Sequence, residues 1–245
     1  MAKSEESILQ INNLVSGYGK IETLHGASLD IPRGRVTAVI GPNGSGKSTL
    51  LKSIAGLLKP WSGSIELDGI EIAALPAHKL LHLGMCTVPQ GRVVFPFLTV
   101  EENLRMNAYT IRNRAEVDRR VEAAFEFVPA LRERRKQMAS NLSGGEQVLL
   151  SLAKVVTQEP TILLLDEPSL GLSPKMMAHV YETIDGFAER GITTFLVEQN
   201  VRMALEVADF VAVLVLGEVR YLGSPQQLEK DVDLGTLFLE GKLEA

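Results

Sequence analysis

The residues that could do chemistry fall in a few short stretches of the 245-residue chain. In "GPNGSGKST", residues 41–49, Gly41, Gly46, Lys47 and Ser48 fill the spacing G-x-x-x-x-G-K-[ST], after the strand-like run "RVTAVI" and ahead of the helical run "STLLKSIAGLL". Glycines let backbone N–H groups turn inward onto an anion, and the opening helix end adds positive potential. With Pro42, Asn43, Gly44 and Ser45 inside the loop and Thr49 closing it, the stretch reads as a phosphate cradle. In such a cradle Lys47 reaches the β- and γ-phosphates, and the Ser48 hydroxyl is placed to bind Mg2+. "TILLLDEP" supplies the complement, a buried apolar strand ending in Asp166 and Glu167. The expected place of that strand is beside the glycine-loop strand, with both carboxylates at the phosphates. Asp166 then holds Mg2+ through water, and Glu167 serves as general base for the attacking water.

A second glycine pair stands far downstream, in "NLSGGEQ", residues 141–147. One nucleotide needs one cradle, so the second poses a question. Ser143 and Glu146 form S-x-x-E, a capping box ahead of "QVLLSLAKVV", whose apolar spacing is helical. A cap alone requires neither Gly144 nor Gly145, and glycine in a helix costs about 1 kcal/mol against alanine. Two bare N–H groups in succession suit the close approach of an anion.

These stretches need elements to hold them. The first third reads as strands and turns: "ILQINNL", "IETLHGASLDI", "RVTAVI", and "GSIELDGIEI" with a hairpin signal at Asp68-Gly69. "GMCTVPQ" is a short strand ending at Pro89-Gln90. Between Thr99 and Gln158 the pattern turns helical, opening on a capping box at Thr99 and Glu102 and continuing through the amphipathic "RAEVDRRVEAAFEFV". The basic run "LRERRKQ" reads as a solvated face and connector. Beyond Pro160, "TILLLDEP", "KMMAHVYETIDGFAER" and "ITTFLVE" alternate strand and helix. A hairpin turning at Gly217 and a helical tail close the chain. Alternating β and α on both sides of a helical insert predicts a parallel-sheet core carrying a helical subdomain.

Bulk composition narrows the classes. Hydrophobic content of 45% and charged content of 22% are ordinary globular values. A net charge of −5 gives no support to a nucleic-acid partner. The single cysteine, Cys86, has no partner for an internal disulfide and reads as a small apolar residue in a buried strand. "MAKSEES" has no apolar signal region, and "FVAVLVL" is far short of the ~20 residues of a membrane helix. A soluble, cytoplasmic protein is expected.

The motifs "GPNGSGKST", "VPQG", "LSGGE" and "ILLLDEP", in that order, resemble those of the ATP-binding cassette transporter ATPases over essentially the whole chain. The resemblance implies a P-loop NTPase, RecA-like α/β fold: a parallel-sheet core with an N-terminal antiparallel β subdomain and an inserted α-helical subdomain. It implies one ATPase domain over residues 1–245, with residues 1–90 and 159–245 as nucleotide-binding core and 91–158 as helical signature subdomain. ATP and Mg2+ are the implied ligands. The signature loop, Ser143, Gly144, Gly145 and Glu146, would close over ATP held by another subunit's glycine loop, in a head-to-tail homo- or heterodimer of ATPase subunits that sandwiches two ATPs. Tyr18 matches the aromatic that stacks on adenine. Gln90 matches the residue that reaches Mg2+ and the attacking water. Residues 169–173, "SLGLS", lack the aspartate common after the catalytic carboxylate. Gln199 stands where the family places a histidine at the γ-phosphate. Glutamine cannot become cationic, which predicts slow hydrolysis on this subunit's own loop.

Within the family, "VPQGRVVFPFLTVEENL", "DEPSLGLSP" and "LVEQN" resemble the branched-chain (hydrophobic) amino acid importer branch, and a urea and short-amide branch is closely similar. The implied partners are transmembrane permease subunits and, indirectly, a substrate-binding protein, with the chain peripheral on the inner face of the cell membrane. Val93, Val94, Phe95 and Phe97 lie where the family docks its permeases, and packing into the internal core is the competing reading. ATPases of this class that act on DNA or ribosomes usually carry two cassettes or a long coiled coil, which are not seen here. A purely regulatory module would be expected to lose Lys47 or Glu167.

Overall fold

The N-terminal third alternates apolar and polar residues and folds as the antiparallel sheet that alternation favours. The computed structural model describes residues 6–91 and 93–231. Strand β1 (Ser7–Tyr18) lies between β2 (Ile21–Pro32) and β4 (Ser62–Leu67), and β5 (Ile70–Glu71) pairs with β4, giving the order β2-β1-β4-β5. Leu9, Ile11 and Leu14 of β1 point into the core while Gln10 and Asn12 face solvent. The β4–β5 turn falls at Asp68 and Gly69, with φ of 50° and 73°, the left-handed pair that a two-residue hairpin demands.

The second sheet has the order β10-β9-β3-β8-β7-β6. It is built from β3 (Val36–Ile40), β6 (Met85–Val88), β7 (Ile162–Asp166), β8 (Thr193–Val197), β9 (Phe210–Val215) and β10 (Glu218–Gly223). All pairings are parallel except β9–β10, a hairpin turning at Leu216 and Gly217. This order corrects one expectation: β7 does not lie beside β3, because β8 pairs with both and separates them. The carboxylate strand therefore reaches the glycine loop across an intervening strand.

Helix α1 (Lys47–Ile54) follows the glycine loop and α2 (Ala77–His82) precedes β6. Helices α3 (Val100–Asn107), α4 (Arg114–Phe127) and α5 (Gly144–Gln158) form the insert before β7, with 3-10 turns at Pro129–Leu131 and Ala139–Asn141. Helices α6 (Pro174–Glu189), α7 (Val201–Val207) and α8 (Pro225–Asp231) complete the described chain, and the tail beyond Asp231 lies outside the described residues. β7 forms a wall between two cores. Ile162 and Leu164 pack with α1 and the antiparallel sheet, while Leu163 and Leu165 pack with α4, α5 and α6. The α-insert thus buries its apolar face against the same sheet that carries the glycine loop. Cys86, in β6, has its thiol pushed up to about 11 by burial, the behaviour of an inert packing residue.

The basic run is more than a solvated connector. Arg135 pairs with Glu101 of α3 and Glu122 of α4, Arg132 pairs with Glu122, and Arg134 reaches Glu146 at the start of α5. The ion pairs tie three helices of the insert together through one connector.

Candidate functional site

The fully buried strand β3 delivers Gly41 into a position no other residue can occupy: a Cβ there would stand 2.1 Å from the Leu214 carbonyl oxygen. Gly46 takes the left-handed conformation, φ 106°, and opens α1 with no side-chain cap. The first-turn N–H groups of α1 thus have no capping acceptor, the condition under which a helix end receives an anion. The Ser45 hydroxyl is buried inside this loop without a hydrogen-bond partner. Lys47, buried, donates to the carbonyls of Gly41 at 2.8 Å and Pro42 at 3.1 Å. Burial lowers its pKa, opposed by the charges of Glu167, Asp166 and Glu198. Ser48 is half-buried and Thr49 buried, while Asn43 and Gly44 are exposed at the mouth with Pro42 half-buried beside them.

The end of β7 brings the carboxylates to this loop. Asp166 is buried, one of its oxygens, Oδ1, lacks any partner, and burial raises its carboxyl pKa against the pull of Lys52 and Lys47. Glu167 takes φ 46°, a left-handed conformation costly for a residue with a Cβ, and its N–H donates to the Val197 carbonyl at 2.9 Å. Burial, then the Asp166 charge, raises the Glu167 pKa. Gln90 Nε2 donates to Glu167 Oε2 at 3.1 Å, so the residue after β6 and the residue after β7 meet. Gln199, exposed past the end of β8, lines a cavity of about 260 Å3 with Glu167, Ser169 and Glu198. Tyr18 ends β1 with its side chain 47% exposed and Lys52 Nζ 5.8 Å from the ring centroid. The orphaned Ser45 hydroxyl and the open helix end suit phosphate oxygens, and the orphaned Asp166 oxygen suits a hard cation such as Mg2+. The residues present fit a metal–nucleotide pair.

The second glycine pair is built differently. The Ser143 hydroxyl accepts from Glu146 N at 3.3 Å, Glu146 Oε2 accepts from Ser143 N at 2.8 Å, and Arg134 holds the same carboxylate at 2.7 Å. Gly145 has a packing reason of its own: a Cβ there would stand 2.6 Å from the Met176 methyl carbon. Ser143, Gly144 and Gly145 line a cavity of about 670 Å3 with Gln90, Glu167 and the loop that follows it, and none of residues 41–49 lines it.

Glu198 was not singled out by sequence reasoning. It is 1% exposed and accepts from the backbone N–H groups of Ser169, Gln199 and Asn200. Its signal was a carboxylate directly after the apolar run Phe195–Val197 of a fully buried strand. Residues 93–97 divide: Val94 packs on the core, whereas Val93, Phe95 and Phe97 are exposed, Phe97 to 85%. Lys154 of α5 fastens this segment, donating to the Val93 carbonyl at 2.9 Å under the Phe95 ring. Among the described residues no helix is long and apolar enough to cross a membrane.

The comparisons agree with this geometry. Residues 24–170 match the ABC transporter family model. A probable branched-chain amino acid transport ATP-binding protein, LivF, of Archaeoglobus fulgidus is 43% identical over 222 residues, covering 90% of this chain and 94% of that one. BraG of Pseudomonas aeruginosa, a high-affinity branched-chain amino acid transport ATP-binding protein, is 40% identical over 212 residues, covering 86% and 91%. A dimeric ATP-binding cassette in a post-hydrolysis state, bound to ADP and Pi, superposes with a TM-score of 0.77 at 25% identity, covering 89% of this chain and 98% of that one. With its glycine loop, carboxylate strand and second glycine pair in one α/β frame, the chain belongs to the ABC transporter family, as a transport-coupled ATPase.

Proposed function

We propose that this chain is the ATP-hydrolysing subunit of an importer for branched-chain or other hydrophobic amino acids, working as a head-to-tail dimer with a second ATPase subunit on the cytoplasmic face of the membrane. The observation that carries the chemistry is the uncapped end of α1, with its orphaned Ser45 hydroxyl, facing the Asp166–Glu167 pair. Residues 41–49 hold the phosphates and Tyr18 offers its exposed ring to the adenine. Ser48, Asp166 and Gln90 would hold Mg2+, which would supply charge neutralisation at the phosphates. Lys47 leaves its two loop carbonyls for the phosphates, which are stronger acceptors.

Gln90 occupies one oxygen of Glu167 and leaves the other to take a proton from water as that water attacks the γ-phosphorus. ADP departs, and the proton on Glu167 returns to solvent with phosphate release. Gln199 orients the same water through its amide. The partner supplies Ser143, Gly144, Gly145 and Glu146 to complete the cradle, and the mutual arrangement closes after two subunits. What supports the trans reading is that the signature loop is self-capped and that residues 41–49 are not among the lining of the 670 Å3 cavity it borders. The exposed Val93, Phe95 and Phe97 offer an apolar face to the permease subunits, which in turn meet a substrate-binding protein.

The cargo assignment rests on relatives that are 40% and 43% identical. Its test is ATP turnover by the complex reconstituted with its permeases and binding protein. Stimulation by leucine, isoleucine or valine and none by urea or short amides is expected; stimulation by urea alone would overturn the cargo and leave the ATPase assignment standing.

A further inference from the structure

No step above uses the side chain of Glu198, yet it is among the most buried charged groups of the described chain. A buried carboxylate is costly unless hydrogen bonds replace its water. Three backbone N–H groups do so here: Ser169 N donates to Oε1 at 3.2 Å, and Gln199 N and Asn200 N donate to Oε2 at 3.1 and 3.4 Å. Ser169 belongs to the loop after Glu167, and Gln199 to the turn after β8. One side chain thus ties together the loops that follow the neighbouring strands β7 and β8.

The tie extends further. Leu170, Gly171 and Leu172 line the cavity that holds Gln199 and also the cavity that holds the signature loop. Past this loop, Met176 lies in the first turn of α6 and packs where a Cβ on Gly145 would be. Tyr181, farther along α6, buries its hydroxyl beside Glu198, and burial with the Glu198 charge keeps that hydroxyl protonated. From Gln199 to Gly145 the chain of contacts runs through one carboxylate, one short loop and one methionine.

We propose that Glu198 is a positioning residue that couples the two ATP sites of the dimer: it ties Gln199, at the subunit's own nucleotide, to residues 169–173 and, through Met176 against Gly145, to the signature loop offered to the partner's nucleotide. The inference rests on the head-to-tail reading above. Glu198→Gln preserves volume but replaces an acceptor oxygen with a donor, so one of its two sets of N–H partners must face another donor.

The experiment uses the assembled complex with Glu167→Gln in this chain, so that the turnover measured comes from the site on the partner's glycine loop. Adding Glu198→Gln to this chain slows that remaining site about tenfold, within the range of coupling energies carried by such contacts. Nucleotide binding on this chain's own loop, measured in parallel, reports that the variant is folded. Met176→Ala tests the next link without touching Glu198 and slows the partner site severalfold, while Met176→Leu, which refills the contact, restores it. Ser143→Arg in the same parent stops the partner site. If Ser143→Arg stops it while Glu198→Gln and Met176→Ala both leave it within about twofold, the relay is overturned and the head-to-tail reading stands. If Ser143→Arg has no effect, both fall. Should Glu198→Gln not fold, the Met176 pair decides.

Discussion

Two helices of this molecule open on glycine, and they satisfy their first turns in opposite ways. α1 begins at Gly46 with no side-chain cap, a buried orphan hydroxyl at Ser45 and a desolvated Lys47. α5 begins at Ser143 inside a reciprocal capping box, with Arg134 clasping the box carboxylate. An unsatisfied buried donor is costly, so it persists where a ligand completes it. A closed box stabilises the helix by about 1 kcal/mol and holds its shape with nothing bound. On the proposed reading, the first end is finished by a nucleotide. The second is finished by its own chain and can be presented whole to a site elsewhere. Charges around the two ends follow suit: burial displaces Lys47, Asp166 and Glu167 from their ordinary values, whereas hydrogen bonds from Arg135 and Arg105 hold Glu101 of the insert down at about 2.

The largest effect belongs to the open end. In the complex with the partner site disabled, Glu167→Gln removes the proton acceptor and should cut hydrolysis on this subunit's loop by ~10²–10⁴ while Mg·ATP still binds and dimers accumulate with ATP trapped. Near-normal phosphate release from that complex would end the assignment of Glu167 as base. Next comes Gln199→His, which adds a group able to carry charge at the γ-phosphate and should raise turnover on this subunit's loop about tenfold, read with the partner site disabled. An unchanged rate would mean that glutamine already places the water well.

At the closed end the currency is stability. Ser143→Ala should cost about 1 kcal/mol in denaturant unfolding and leave nucleotide binding by the isolated chain unaltered. A loss of binding with stability intact would reverse the roles of the two ends.

Acid should separate the two regions most gently. The Glu101 carboxyl sits at about 2, below its ordinary 4.5, so its stabilising share is complete above 4.5 and is lost as pH falls from there toward 2. Asp166 and Glu167 are shifted upward by burial, so their charged forms weaken the fold, and acid relieves that penalty as it passes through their raised values. Amide exchange relative to intrinsic rates, compared at neutral pH and below 4.5, should therefore quicken in α3 and α4 before it quickens at the end of β7. Glu101→Gln should flatten the acid response of the insert, and equal loosening of both regions would contradict the contrast.

Much of this was legible in the residues. Asp68-Gly69 and Leu216-Gly217 turn hairpins where left-handed φ was needed, and both capping boxes form as S/T-x-x-E spacing dictates. These are local devices, decided within a few residues. What escaped depends on pairing across the chain. β8 stands between β3 and β7 because parallel strands choose neighbours through long crossovers, which no local pattern records. Arg132, Arg134 and Arg135 looked solvated because their partners Glu101, Glu122 and Glu146 lie in three different helices. Gly145 looked like an anion contact alone, and Met176, on another helix, adds a packing demand. Glu198 was not singled out, because Ser169, one of the residues whose N–H holds it, belongs to a loop 29 positions away in the chain.

The central claim is that the closed end of α5 acts on a neighbour's nucleotide and not on its own. Ser143→Arg measures it most directly, scored twice in the same preparation: ATP binding by the isolated chain, and hydrolysis at the partner's glycine loop in the assembled complex. The account predicts binding within about twofold of the parent and partner-site hydrolysis at background, since bulk and charge then block the approach to the γ-phosphate. Binding abolished in the isolated chain, or partner-site hydrolysis undiminished, would contradict it.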